Sequence, residues 1–263
     1  MKKIMTISGS DSSAGAGIQA DLKSVSSRGD FISTVIVAVV AENTMGLKSL
    51  ALIDKELVRD QIEAIYEDMG FDAIKLGMLP SVDIIMTVAD TLKKMDVKNV
   101  VFDPCMVNKS EDAFAEDDSI EVLVSEIFPM VDLICPNILE AKTITGMDIK
   151  TVDDMKEAAK KIHEMGVKNV LLKGGSHIEG AVDIFYDGKE FDTFYIRRID
   201  SKNIWGSGDV LAAIIASNLA HGLEMKEAIA DAKEYVTSAI EKAPGIGKGF
   251  GVLNFNHEIK TRY

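Results

Sequence analysis

The sequence predicts an α/β fold built on a mostly parallel sheet with helices on both faces. Three observations carry that expectation. Short apolar runs alternate with amphipathic stretches of helix length along the whole chain, the βαβα rhythm of a parallel sheet. The run Ser33–Ala41, "STVIVAVVA", is continuously apolar and β-branched, as a strand covered on both faces should be. No linker, repeat or low-complexity stretch breaks the pattern, so residues 1–263 read as one domain.

The elements follow in order. Ile4–Ser8 is a strand, followed by a Gly/Ser loop and a helix over Ala16–Ser27. Ser33–Ala41 is the second strand. Lys55–Met69 has helical spacing at Leu57, Ile62, Ile65 and Met69. Ala73–Gly77 is a short strand, Val82–Met95 a helix, Asn99–Asp103 a strand, Asp117–Phe128 a helix and Val131–Pro136 a strand. Thr151–Met165 is a helix with Thr151 as N-cap and Asp residues in its first turn. Asn169–Gly175 is a further strand. Ala181–Ile196 breaks the rhythm: Asp187-Gly188 between two β-rich runs signals a small hairpin added to the sheet. Asp209–Ala220 and Met225–Lys242 are helices.

Composition narrows the functions. Apolar residues make up 47%, which excludes global disorder. A net charge of −13 and few aromatics (6%) argue against a nucleic-acid partner. No segment has the apolar length of a membrane span. The start, Met1-Lys2-Lys3, is followed by a stretch too short and too soon polar for a signal peptide. Cys105 and Cys135 read as buried thiols of a cytoplasmic protein. His163, His177, His221 and His257 are scattered, and no zinc spacing, Walker-A loop or nucleophile elbow is present.

Open α/β sheets bind ligands at the carboxyl ends of their strands, so the loops that follow strands hold the candidate residues. Gly9–Asp21 contains "GAGIQA", which has dinucleotide-fingerprint spacing, with Glu42 at the end of the second strand as the ribose acid. Against that reading, Gly15 lies seven residues past Ser8, whereas the fingerprint needs its glycines directly after the strand. In Trp205–Gly222, Gly206-Ser207-Gly208 precedes an apolar helix, as an anion hole of backbone N–H groups would. Asp209 in its first turn either complements the dipole or takes a proton from an attacking hydroxyl. Asp103 ends a strand before Pro104 and suits Mg²⁺ or its water shell. Asn137 and Glu140 share a face if a helix starts there; they either complete that shell or form a capping box.

Taken together, "TISGSDSSAGAGIQADLKS", "AENT", "KLGMLPS", "DPCMVNKS", "CPNILEA", "LLKGG", "GSGD" and "GIGKG" resemble the ribokinase-like superfamily. Within it they resemble the hydroxymethylpyrimidine/phosphomethylpyrimidine kinase family of thiamine biosynthesis. The resemblance implies a three-layer α/β/α fold, a homodimer, and phosphorylation of a hydroxymethyl group by ATP with Mg²⁺. By position it places Gly9, Ala16, Asp21, Glu42 and Met78 around a heteroaromatic substrate, with Cys105 in a neighbouring wall. It places Asp103, Asn137 and Glu140 at the Mg-phosphate region, Lys173 at the nucleotide phosphates, and Gly245 and Gly247 near the nucleotide. Gly206, Ser207 and Gly208 would form the anion hole, with Asp209 as base.

The chain departs from the family pattern in three places. The pyrimidine kinases commonly carry Gln at Glu42 and Cys at Asp209, and "GMLPSVDII" looks like a pyridoxal-kinase subgroup. The expected substrate is 4-amino-5-hydroxymethyl-2-methylpyrimidine and its monophosphate. Pyridoxine or pyridoxal is the alternative, and a nucleotide-binding regulator without catalysis is the alternative from another class. Glu42 bears on the choice. An ionised carboxylate answers only the donor of an aminopyrimidine edge, whereas Gln answers donor and acceptor. The mismatch costs about 1–3 kcal/mol when buried, so Glu42→Gln is expected to favour the pyrimidine over pyridoxal.

Overall fold

The structure, a computed structural model, describes residues 1–106, 119–175, 182–195, 197 and 199–259. Among them, nine strands form one sheet: β1 (Lys3–Asp11), β2 (Phe31–Asn43), β3 (Gly46–Leu52), β4 (Ala73–Leu76), β5 (Val100–Phe102), β6 (Leu133–Ile134), β7 (Val170–Lys173), β8 (Val182–Tyr186) and β9 (Phe191–Tyr195). Their spatial order is β3-β2-β1-β4-β5-β6-β7-β8-β9. The six strands from β2 to β7 pair in parallel, while β3, β8 and β9 pair antiparallel. The chain leaves β1 on one side for β2 and later returns to its other side as β4, which makes a topological switch point beside β1.

Helices cover both faces because each central strand has apolar side chains on both. In β5, Val100 and Phe102 join one core cluster and Val101 the other; in β7, Val170 and Leu172 oppose Leu171 in the same way. The first cluster takes in the buried sides of α2 (Lys55–Asp68), α3 (Val82–Leu92), α5 (Ile138–Thr145) and α6 (Val152–Glu164). The second takes in α1 (Gly17–Ser27), α7 (Ser207–Ala220) and α8 (Met225–Glu241). Three layers result. Every residue of α7 from Asp209 to Ala220 is buried, which is why its sequence is apolar all round.

Local chemistry sets the boundaries. Thr151 and Asp154 form a capping box at α6. The Asp187 side chain accepts from the backbone N–H groups of Lys189 and Glu190 (2.8 and 2.7 Å) and closes the β8–β9 hairpin. The expected hairpin ends, Ala181 and Ile196, lie outside the described residues, as do His177 and Asp117. The rest of the helix expected there is irregular: α4 (Ser119–Val122) passes into a π-turn (Leu123–Ile127) and a 3₁₀ turn (Phe128–Met130). Pro129 lies in that last turn and has no N–H for the helical ladder. One strand was not expected at all. The edge strand β3 is mostly exposed and carries Lys48 and Ser49, so it lacks the apolar run of a buried strand.

Candidate active site

Four strand-end loops converge on a cleft of about 830 Å³ at the carboxyl ends of the parallel strands. The loop between β1 and α1 is built around Asp11. Its buried carboxylate accepts from the backbone N–H groups of Ser13 (2.6 Å), Gly15 (3.1 Å) and Ala16 (2.8 Å), from the Ser13 hydroxyl (2.8 Å) and from Trp205 Nε1 (3.3 Å). The amides of Gly15 and Ala16 in "GAG" are thereby spent on Asp11 and do not face a pyrophosphate, which argues against the dinucleotide reading. The Trp205 bond also ties this loop to the one before α7. The two loops meet so closely that a Cβ on Gly15 would lie 2.6 Å from the Trp205 indole, and one on Gly206 would strike the Gly15 carbonyl.

Gly206 caps α7 in the left-handed conformation (φ 78°) and no side chain caps the helix. Ser207 N–H turns back to the Ile204 carbonyl (3.3 Å), and the remaining N–H groups of this turn lie at the cleft with the positive end of the dipole behind them. Gly206, Ser207, Gly208 and Asp209 all line the cleft. A Cβ on Gly208 would lie 2.9 Å from Asp103 Oδ2 and 3.2 Å from Lys173 Nζ, so the hole faces that pair directly. Lys173 Nζ donates to Asp103 Oδ1 at 2.7 Å. Burial opposes the Lys173 charge, but Asp103 and Glu140 outweigh it and hold the ammonium above its usual range. Asn137 and Glu140 form the capping box of α5: Glu140 N–H donates to Asn137 Oδ1 (2.9 Å) and Asn137 N–H to Glu140 Oε2 (2.8 Å). Burial raises the Glu140 carboxyl to about 7, against the pull of Lys173. The capping and site readings of this pair coexist, because the capped helix starts at the cleft.

Gly9, Ala16, Glu42, Met78 and Cys105 line the cleft with Asp209. A Cβ on Gly9 would sit 2.5 Å from the Met78 methyl, so the thioether lies flat on backbone. A register shift in β2 falls between Ala41 and Glu42, the kind of bulge that re-aims a side chain beside a site. Glu42 is half-buried, and burial followed by the neighbouring Asp11 carboxylate raises its carboxyl to about 8. The Cys105 thiol is held well above its usual range by burial and by the Asp209 and Asp103 carboxylates, so it is not a thiolate at neutral pH. Val107–Ser110 of the same motif lie outside the described residues.

Two expected placements differ. Asp21 does not reach the cleft. It is fully buried on α1, and its Oδ2 accepts from Thr6 Oγ1 (2.6 Å) and Lys75 Nζ (3.0 Å). Gly245 and Gly247 are exposed and do not line the cleft; Phe250 does. Gly247 (φ 96°) packs instead on the Thr44 side chain, and Phe250 N–H donates to the Thr44 carbonyl (2.9 Å), docking this loop on the β2–β3 turn.

Three charged residues in or beneath the cleft carry no assignment from the sequence. Asp11 sat within a motif without a role. Lys75 is fully buried under the cleft and donates to Asp209 Oδ1 at 2.8 Å as well as to Asp21; its signal was a lone charge inside the strand "AIKLG". Lys233 pairs with Asp183 deep in the cleft wall, and Asp183 Oδ1 accepts from Gly174 N–H (2.9 Å) beside Lys173.

No helix among the described residues is long and apolar enough to cross a membrane. The family model described as phosphomethylpyrimidine kinase matches residues 11–254. The chain is 40% identical to a probable chloroplastic thiamine biosynthetic bifunctional enzyme of Oryza sativa subsp. japonica, over 98% of this chain and 48% of that one. It thus spans about half the length of that relative. A crystal structure of an ADP complex of Bacillus subtilis pyridoxal kinase is 39% identical with a TM-score of 0.92, covering 98% of both chains. A phosphomethylpyrimidine kinase structure from Clostridium difficile 630 is 40% identical with a TM-score of 0.81, covering 91% of this chain and 100% of that one.

Proposed function

The chain belongs to the phosphomethylpyrimidine kinase family, and from that premise we propose that it transfers the γ-phosphoryl group of ATP to the hydroxymethyl group of 4-amino-5-hydroxymethyl-2-methylpyrimidine, and then a second one to the phosphate group of the monophosphate so formed. The observation that carries the reading is Asp209: a buried carboxylate in the first turn of an uncapped helix, at the edge of an anion hole and anchored from below by Lys75. A carboxylate there is misplaced for binding phosphate and well placed to receive a proton. In the first transfer the hydroxyl oxygen forms a bond to the γ-phosphorus as its proton passes to Asp209. The bond to the β-phosphate oxygen breaks, and ADP leaves. Backbone N–H groups of Gly206 and Gly208 hold the transferring group, and Lys173 holds nucleotide phosphate charge. A regulator without catalysis would have no use for an anchored carboxylate at that point.

Mg²⁺ would be held by Asp103 and Glu140, directly or through water. The donor set is hard oxygen, Asp103 Oδ2 faces the anion hole, and no group of three ligating side chains occurs among the described residues. That pattern fits a cation held mainly by nucleotide phosphates and water. When bound it neutralises charge on the transferring phosphates. Asp103→Asn is expected to raise the Mg²⁺ concentration for half-maximal rate at fixed ATP by roughly 10-fold. Glu140→Gln, which can keep the cap, should do so less. Unchanged half-saturation in Asp103→Asn would leave Asp103 only as the partner of Lys173.

Glu42 supports the pyrimidine over pyridoxal. Below about pH 8 its carboxyl carries a proton, and a protonated carboxyl offers a donor and an acceptor, as Gln does. The mismatch expected from an ionised Glu42 therefore applies only at higher pH. The ratio of kcat/KM for hydroxymethylpyrimidine to that for pyridoxal is expected to fall as pH rises from 7 to 9. In Glu42→Gln the ratio should stay flat across that range and match wild type near pH 7. A wild-type ratio that does not change with pH would mean Glu42 does not read the ring.

A further inference from the structure

Lys75 is a lysine where the fold leaves no route to water. It sits in β4, between β1 and β5, on the same strand face as Ala73, and points into the layer of α1 and α7 with 0% of its side chain exposed. Its ammonium donates to two carboxylates, Asp209 Oδ1 at 2.8 Å and Asp21 Oδ2 at 3.0 Å. Thr6 Oγ1 donates to the same Asp21 oxygen at 2.6 Å. One cation thus serves two anions, and only Asp209 reaches the cleft.

We propose that Lys75 is a positioning residue for phosphoryl transfer, holding the Asp209 carboxylate charged and in one orientation, with Asp21 setting how much of the Lys75 charge Asp209 feels. With Oδ1 engaged from below, the carboxylate cannot rotate freely, and Oδ2 is left to receive the proton. The surroundings make the cation necessary. Asp209 is faced by Asp21 from α1, Glu42 from β2, and Asp103 and Cys105 from the loop after β5; the nearby Lys173 is tied to Asp103. Among these groups only Lys75 offers positive charge directly to Asp209. Burial pushes the Asp21 carboxyl upward against the pull of Lys75, and the Asp209 charge adds to that push. The two acids thus compete for one partner. Among the described residues the buried Asp21 Oδ1 atom has no hydrogen-bond partner, so this acid is the less completely satisfied of the two.

This inference rests on Asp209 acting as the base. A purely structural Lys75 would merely neutralise two buried acids, and a charge-balanced variant separates the two roles. Asp21→Asn combined with Lys75→Met leaves the cluster at the wild-type net charge of one negative, now on Asp209 alone. If Lys75 positions Asp209, this variant keeps KM for ATP and the alcohol near wild type and loses about 10–100-fold in kcat. Its acidic limb of kcat against pH should also move up by about one unit or more. Wild-type kcat and an unmoved profile in the folded double variant would overturn the inference. Asp21→Asn alone gives an independent reading should the double variant fail to fold. Its amide oxygen can take the bonds from Thr6 and Lys75, and its NH₂ falls where Oδ1 already lacks a partner. Freed of its competitor, Lys75 then moves the acidic limb to lower pH; an unmoved limb contradicts the proposal. An Asp209→Asn enzyme with full turnover would bring down the base reading itself. An inactive Asp209→Asn beside an unaffected double variant would bring down the role of Lys75 alone.

Discussion

Asp209→Asn is expected to lower kcat by about 10²–10⁴-fold, the usual worth of a positioned general base, while nucleotide binding and fold survive. The substitution is nearly isosteric, and the Asn oxygen can still accept from Lys75, which donates to Asp209 Oδ1 at 2.8 Å. What is lost is the capacity to take a proton. Steady-state kcat at neutral pH and ADP affinity by calorimetry read the two properties separately. Near-wild-type kcat would make Asp209 a residue that complements the α7 dipole.

Gly208→Val is expected to cost about 10²–10³-fold in kcat, the loss found when one oxyanion donor is removed, with a smaller effect on KM for the alcohol. The structure gives the reason. A side chain at 208 would enter the space between the α7 N-terminus, Asp103 Oδ2 at 2.9 Å and Lys173 Nζ at 3.2 Å, where the phosphoryl group must sit. Gly208 is not among the residues with positive φ, so its backbone can accept a side chain and the variant should fold. Gly206 is the contrast. With φ 78° and the Gly15 carbonyl against it, a side chain there is expected to unsettle the fold before it touches catalysis. Thermal midpoints of the two variants would separate these cases, and a folded Gly208→Val with wild-type kcat would remove the anion hole from the account.

Most of the sheet was legible because its strands are buried on both faces and read as apolar runs. The same property explains what was not. β3 is an exposed edge strand, and its "GLKSLAL" resembles loop sequence. The extension of β1 to Asp11 and of β2 to Asn43 passes into polar residues that belong to the cleft rather than to the core. In the site, residues directly after strands were readable, since the carboxyl ends of the strands all open on one side. Asp21 was misplaced for the complementary reason: the cleft residues Ala16 and Gly17 precede it closely, but it lies one turn into α1, and the helix turns it inward. Lys75 could be found only from the fold, because the partners that make a buried lysine tolerable lie 54 and 134 residues away in sequence. Glu42 was identified, but its protonation depends on burial and then on Asp11, neither of which the sequence alone places around it.

On the proposed reading, this cleft moves a phosphoryl group from ATP to a hydroxymethyl group on a heteroaromatic ring. Incubating the wild-type protein with ATP, Mg²⁺ and either hydroxymethylpyrimidine or pyridoxal, and following product by ³¹P NMR alongside ADP release, tests it most directly. The account predicts a phosphate monoester of the pyrimidine formed in step with ADP, at a higher kcat/KM than any pyridoxal phosphate. Tight nucleotide binding with no phosphorylated product from either alcohol would contradict it.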